Sequence, residues 1–392
     1  MYQLEQTKQI FRANPWKRPY EDRIKVLKDA KRCDKKTVAF LYPRFDSSTF
    51  RYRGYNVAET LEYSLWWSGT YFELGEIEKL LKNLECVDVL VIIRCPWDDE
   101  FAEFVRAVKT KKIKVCYDVD DLIYNPKHMP SVIEALGVDR DTEWNFWFGL
   151  TQRNYMIAEM CDAMITTNEF LAHYLRTDFS KPCYIIKNYL NWIQEEVSAE
   201  YFEVKQSLGT EKPFEIGYFS GSSTHVKDIM IIMPEVEEFL MQHENTRMKI
   251  VGYMELPNEY KSLVEKKRIQ FVPFQTFVGL QYQQAKVDVN VVPLVNNEFS
   301  NCKSELKYFE TGIVGTITCA TPSHAYSTAI TNGDNGYLCQ KGEWLPVFEK
   351  LYEEGFSREQ QEHIRTRALE EYSYKNQINL VENVFESVWR LQ

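Results

Sequence analysis

The chain has 392 residues, of which 44% are hydrophobic and 27% charged, proportions of a globular protein too long for a single core. A net charge of −10 argues against a broad nucleic-acid surface, and no uncharged run reaches membrane-spanning length. The start, MYQLEQTKQIFRANPWKR, lacks a signal peptide's apolar region, and the nine cysteines show no zinc or disulfide spacing, so a reducing, cytoplasmic setting without a metal site is expected.

The first 36 residues carry eleven Lys or Arg against five acids, with Phe11 and Trp16 among them. Two readings stand: a solvated basic helix packed on the domain that follows, or a peripheral contact with the inner membrane surface or an acidic partner. Apolar runs then recur at 37–42 (TVAFLY), 87–94 (VDVLVIIR) and 112–120 (KIKVCYDVD), as buried parallel strands would. Helical stretches over 54–67 and 98–110 separate them. A strand at 163–167, a helix at 168–176 and a strand at 183–188 complete a predicted Rossmann-like domain over 37–205. The polar stretch 198–214 reads as a linker. Alternation restarts with EIGYFSG (215–221), a helix over 226–242, and strands at 248–253, 269–274, 287–294 and 316–320, which predicts a second such domain over 206–373. The end, 374–392, is an amphipathic helix with Ile378, Leu380, Val381, Val384, Phe385 and Val388 on its apolar side. Two doubly wound α/β domains facing each other create a central cleft, because open parallel sheets bind ligands outside the carboxyl ends of their strands.

The segment 293–315, PLVNNEFSNCKSELKYFETGIVG, carries the most chemistry. A strand ends at Leu294, and a helix is predicted from Ser300 or Asn301. Lys303, Lys307 and Glu310 then fall on one helical face, with Ser304 on the adjoining ridge. Basic side chains in a first turn oppose the usual dipole preference and point to an anionic ligand. Glu310 lies about 10 Å along the axis, within a nucleotide's length. Earlier, EIGYFSGSSTHVKD (215–228) runs a strand into a Gly/Ser loop and a helix, with Gly221, Ser222, His225 and Lys227 as donor-side candidates.

These two stretches resemble the large retaining GT-B glycosyltransferases of family four, in particular its polysaccharide-assembly branch. The resemblance extends loosely from about 37 to 391, with NGDNGYL (332–338) as a third, weaker match. It implies a GT-B fold whose last helix returns to the first domain. It also implies transfer of a sugar from a nucleotide-diphosphate sugar to a glycan, lipid-linked or protein acceptor, with retention and without a metal or other cofactor. Glu310 matches the family's ribose-binding glutamate and Lys227 its phosphate lysine. The family's first glutamate falls at Cys302, and an arginine usual after the loop glycine is replaced by Ser222. Lys227, Lys303 and Lys307 are then expected to stabilise the leaving diphosphate. A nucleotide-sugar epimerase of the same fold, and a non-catalytic partner subunit binding a sugar nucleotide or glycan, are the alternatives.

On the acceptor side, YPRFDSSTFRYRGYN (42–56) follows the first strand. Arg51 and Arg53 there meet either donor phosphate or an anionic acceptor, or belong to a solvated loop. YDVDDLIYNP (117–126) places Asp120 and Asp121 after a strand, for an acceptor-hydroxyl contact, for a general base, or simply as a helix cap.

Overall fold

A computed structural model describes residues 14–136, 140–208, 212–221 and 226–391. Among the described residues, twelve strands form two parallel six-stranded sheets. The first contains β1 (Lys36–Tyr42), β2 (Trp67–Glu73), β3 (Val89–Ile93), β4 (Lys114–Asp118), β5 (Ala163–Thr166) and β6 (Cys183–Ile185), ordered β2-β1-β3-β4-β5-β6. The second contains β7 (Phe214–Ser220), β8 (Thr246–Gly252), β9 (Ile269–Val272), β10 (Val289–Val292), β11 (Ile317–Ala320) and β12 (Gly336–Leu338), ordered β12-β11-β10-β7-β8-β9. Central strands such as β3, VLVII, are buried at every position because helices cover both faces.

Three expectations are corrected. The helix predicted over 54–67 is a π-helical turn, Arg51–Tyr55, followed by one α-turn, Asn56–Thr60, and a 3-10 turn ending at Tyr63; residue 67 already belongs to β2. The expected linker at 198–214 is mostly helix. Residues Trp192–Ser207 form one helix, closed at its start by a capping box between Asn191 and Gln194. Its buried Lys205 donates to the Val287 carbonyl at 2.7 Å and to Thr316 Oγ1 at 3.0 Å, tying the helix to the second domain. The helix expected over 226–242 is two, Val226–Met230 and Met233–Gln242, with Pro234 opening the second.

The basic helix Tyr20–Arg32 buries Ile24, Leu27 and Ala30, and its Arg23 pairs with Glu76 at 2.6 Å. The helix Tyr374–Trp389 packs on the first domain. Phe385 meets Phe40 and Trp67 at 5.9 Å between ring centroids, and Glu386 pairs with Lys36 at 2.6 Å. Leu380, assigned to its apolar side, is exposed. Among the described residues no helix is long and apolar enough to cross a membrane.

Candidate functional site

In each sheet the strand order reverses beside the first strand of its domain, at β1 and at β7. The loops leaving those strands face each other across a cavity of about 530 Å³. The first domain lines it with residues 46–49, Arg51, Tyr52, Asp120 and Asp121. The second contributes the ends of β7 and β8, Phe274 and Gln275 after β9, Leu294 after β10, and Lys303, Ser304, Leu306, Lys307 and Glu310. Gly252 lies in this wall at φ +110°, where a β-carbon would fall 1.9 Å from the Ser220 carbonyl oxygen. Only glycine fits that close approach. Gly221 also lines the cavity, with open space around it.

The lysine-bearing segment is not the single helix predicted from Ser300 or Asn301. A short helix, Glu298–Asn301, is capped by Asn297, and a second, Leu306–Gly312, begins after a turn. The break has tertiary causes. Asn168 Nδ2 donates to the carbonyls of Cys302 (2.9 Å) and Lys303 (3.4 Å), the acceptors a continuing helix would use. Glu305 is buried and accepts from the Tyr372 hydroxyl at 2.8 Å. Lys303 therefore sits in the turn, while Lys307 and Glu310 lie on the second helix. The cavity still brings all three together. Burial and the nearby Lys303 charge push the Lys307 ammonium down to about 8. Its Nζ lies 5.3 Å from the Tyr218 ring centroid.

Glu310 is already engaged. Its Oε1 accepts from Arg51 Nη2 at 3.0 Å and from the Tyr52 hydroxyl, both on the opposite domain. Ser304 Oγ accepts from Asn188 Nδ2 at 2.9 Å. Cys302 is buried with the first domain's core, and that burial pushes its thiol well up.

Arg53 does not face the cleft. It is fully buried, bonded to both Asp118 oxygens at 2.8 and 2.7 Å, to the Ile186 carbonyl at 2.5 Å and to Asn188 Oδ1 at 3.2 Å. Its acceptor-side assignment is corrected on that ground. Asp120 and Asp121 do line the cleft, and both hold Arg94 at 2.5 Å. Burial raises the Asp120 carboxyl to about 6, against the pull of Arg94 and with a further push from Asp121. Arg94 was not predicted; a charged residue closing the run VLVIIR is its one signal in the sequence.

Lys227 is exposed, with Nζ 3.3 Å from the Glu134 carbonyl oxygen, and is not among the described lining residues. Ser222 and His225 lie outside the described residues. A further unpredicted feature involves Phe274, which lines the cavity. Tyr253 and Phe274 stack with centroids 5.4 Å apart and planes at 22°, although both rings are about half exposed.

No protein-family model matches the chain, and no curated protein matches it. Its fold is similar to that of Anabaena HepE in complex with UDP and glucose, at 13% identity over 90% of this chain and 99% of that one, with a TM-score of 0.56. It is also similar to a sucrose-phosphate synthase from Thermosynechococcus elongatus, at 13% identity over 91% and 99% and a TM-score of 0.60. The pneumococcal O-GlcNAc transferase GtfA in complex with UDP and GlcNAc matches at 13% identity over 80% of this chain and 60% of that one, TM-score 0.52. At these identities the likeness concerns the fold. The chain has the two-domain GT-B architecture.

Proposed function

We propose that this chain is a glycosyltransferase that moves a sugar from a nucleoside-diphosphate sugar to a glycan, lipid-linked or protein acceptor, with retention and without a metal. One observation carries the reading. Cationic side chains from both domains, Arg51, Lys303 and Lys307, converge on one cavity at the carboxyl ends of two parallel sheets. Such an arrangement suits a diphosphate whose charge grows as the sugar departs, because fixed cations then stabilise the leaving group without reorganising. The stacked Tyr253 and Phe274 offer a flat apolar face to the base. Since two of the similar structures hold UDP, a UDP-sugar is the first donor to try.

In this reaction the donor's C1–O bond breaks and a C1–O bond to the acceptor hydroxyl forms. The acceptor proton passes to a donor phosphate oxygen on the same face. Asp120 and Asp121, held by Arg94, face the acceptor hydroxyls, and the one guanidinium already bound to both carboxylates favours that role over metal binding. Asp121 is the alternative proton acceptor.

The engagement of Glu310 by Arg51 and Tyr52 favours a second reading, a partner subunit that binds a sugar nucleotide without turning it over. Thermal shift and donor hydrolysis across UDP-, GDP- and dTDP-sugars separate the two, with Lys303→Ala and Glu310→Gln as controls. Binding with hydrolysis supports the enzyme, and binding without turnover in any acceptor mixture supports the partner subunit. If no nucleotide stabilises the protein, both readings fail.

A further inference from the structure

Arg51 is fixed on almost every side. Its Nε donates to the Ser47 carbonyl at 2.8 Å and its Nη2 to Glu310 at 3.0 Å. The guanidinium lies 4.1 Å from the ring centroid of Tyr52 and 4.8 Å from that of Phe277, so aromatic rings from both domains hold its plane. The side chain is only 4% exposed, yet among the described residues Nη1 has no hydrogen-bond partner. A buried N–H without an acceptor destabilises the fold, and a guanidinium does not relieve the cost by losing its proton. Arg51 lines the cavity, and Nη1 is its one nitrogen without a partner among the described residues.

The geometry points to Arg51 as a ligand of the donor's diphosphate, supplied across the cleft by the first domain; this assignment rests on the function proposed above. The chemical class follows from the residue and its neighbours. A planar, permanently charged fork suits phosphate oxygens better than sugar hydroxyls. Lys303 and Lys307 line the same cavity from the second domain. Glu310 keeps the guanidinium compensated and oriented when the site is empty. A diphosphate held by Arg51 on one side and the two lysines on the other needs the domains as close as they are here, so donor binding and closure of the cleft share one equilibrium.

The test is calorimetric titration of the full chain with UDP and uridine, and with GDP, dTDP and their nucleosides in parallel, using wild type, Arg51→Met and Arg51→Lys. The assignment predicts that Arg51→Met weakens diphosphate binding about tenfold to a hundredfold, the loss of a charge-assisted hydrogen bond, and leaves nucleoside binding unchanged. Arg51→Lys keeps a charge beside Glu310 and is expected to weaken diphosphate binding several-fold, again with the nucleoside unaffected. If Arg51→Met does not melt cooperatively, Arg51→Lys decides. Equal losses for diphosphate and nucleoside indicate a purely structural role through Glu310 and overturn the assignment, as does wild-type affinity in either folded variant. If wild type binds none of UDP, GDP and dTDP, the proposed function itself falls.

Discussion

Replacing Arg53 with Met tests how the first domain is held together at the cleft. Arg53 makes four hydrogen bonds, of 2.5 to 3.2 Å, with no solvent exposure. Burial pushes the Asp118 carboxyl above its usual range, Arg53 pulls it back, and Asp118 in turn raises the guanidinium. The two-oxygen geometry is that of an ionised pair, and Arg53→Met leaves the carboxylate buried without its partner. Breaking such a pair costs about 3–5 kcal/mol. For a domain of this size that lowers the melting temperature by about 6–20 °C. Removing the charge as well, in Arg53→Met/Asp118→Asn, should recover part of the loss, while the Ile186 carbonyl and Asn188 Oδ1 still lack their donor. The sign with pH follows from Asp118. Without Arg53 its folded-state carboxyl rises further, so the folded protein holds a proton that the unfolded chain releases, and the deficit is largest at neutral pH. It should shrink as pH falls towards the carboxylate's ordinary value of about 4. Differential scanning fluorimetry from pH 4.5 to 8 measures all three proteins. A single mutant within 2 °C of wild type, or a double mutant no more stable than the single, would refute the reasoning.

Other outcomes follow from the same cavity. Burial holds the Lys307 ammonium at about 8, so the free protein loses this charge above that pH. Nucleoside-diphosphate affinity should fall as pH rises through 8 to 9.5, by at most tenfold per unit, with proton uptake on binding at pH 8.5; an affinity flat over that range in calorimetry would count against Lys307. Gly252→Ala sets a β-carbon against the Ser220 carbonyl at φ +110°, so both melting temperature and diphosphate binding should drop, and a variant that melts and binds as wild type would show that the wall relaxes freely. Lys303 lines the cavity and Lys227 hangs beside Glu134, so Lys303→Ala should lose more diphosphate affinity than Lys227→Ala. The reverse order, read by the same titration, would place the phosphate nearer the residues 222–225.

Most strands were legible because a parallel strand covered on both faces is an unbroken apolar run, as in VLVII and TVAFLY. Strand β2, WSGTYFE, escaped: it lies at the sheet edge, and its Ser and Gly interrupt the run. The second half of the helix Trp192–Ser207 read as part of a linker because Glu200, Glu203 and Lys205 mask the buried Phe202. At the site, spacing gathered Lys303, Lys307 and Glu310 correctly for a partly wrong reason, since it is the tertiary contact from Asn168 that breaks their helix. Arg51 and Arg53 looked equivalent in sequence. On a helical turn, residues two apart point to nearly opposite sides, so one meets the cavity and the other Asp118. Arg94 reaches Asp120 and Asp121 only because β3 and β4 are neighbours in the sheet, a register that no local pattern encodes.

The lysine-bearing segment is as much a product of the first domain as of the second. Asn168 sets the turn at Cys302 and Lys303, Asn188 holds the Ser304 hydroxyl, and Arg51 with Tyr52 holds Glu310. Asn188 is itself oriented by Arg53, which donates to its Oδ1 at 3.2 Å and thereby frees its amide nitrogen to face Ser304. A chain of hydrogen bonds thus runs from Asp118 in the core of the first sheet, through Arg53 and Asn188, to a hydroxyl lining the cavity. Damage at Arg53 should therefore reach the site as well as the fold: the residual folded Arg53→Met protein should bind diphosphate more weakly than wild type. Stability and donor affinity, read on the same variant, report the two ends of one network.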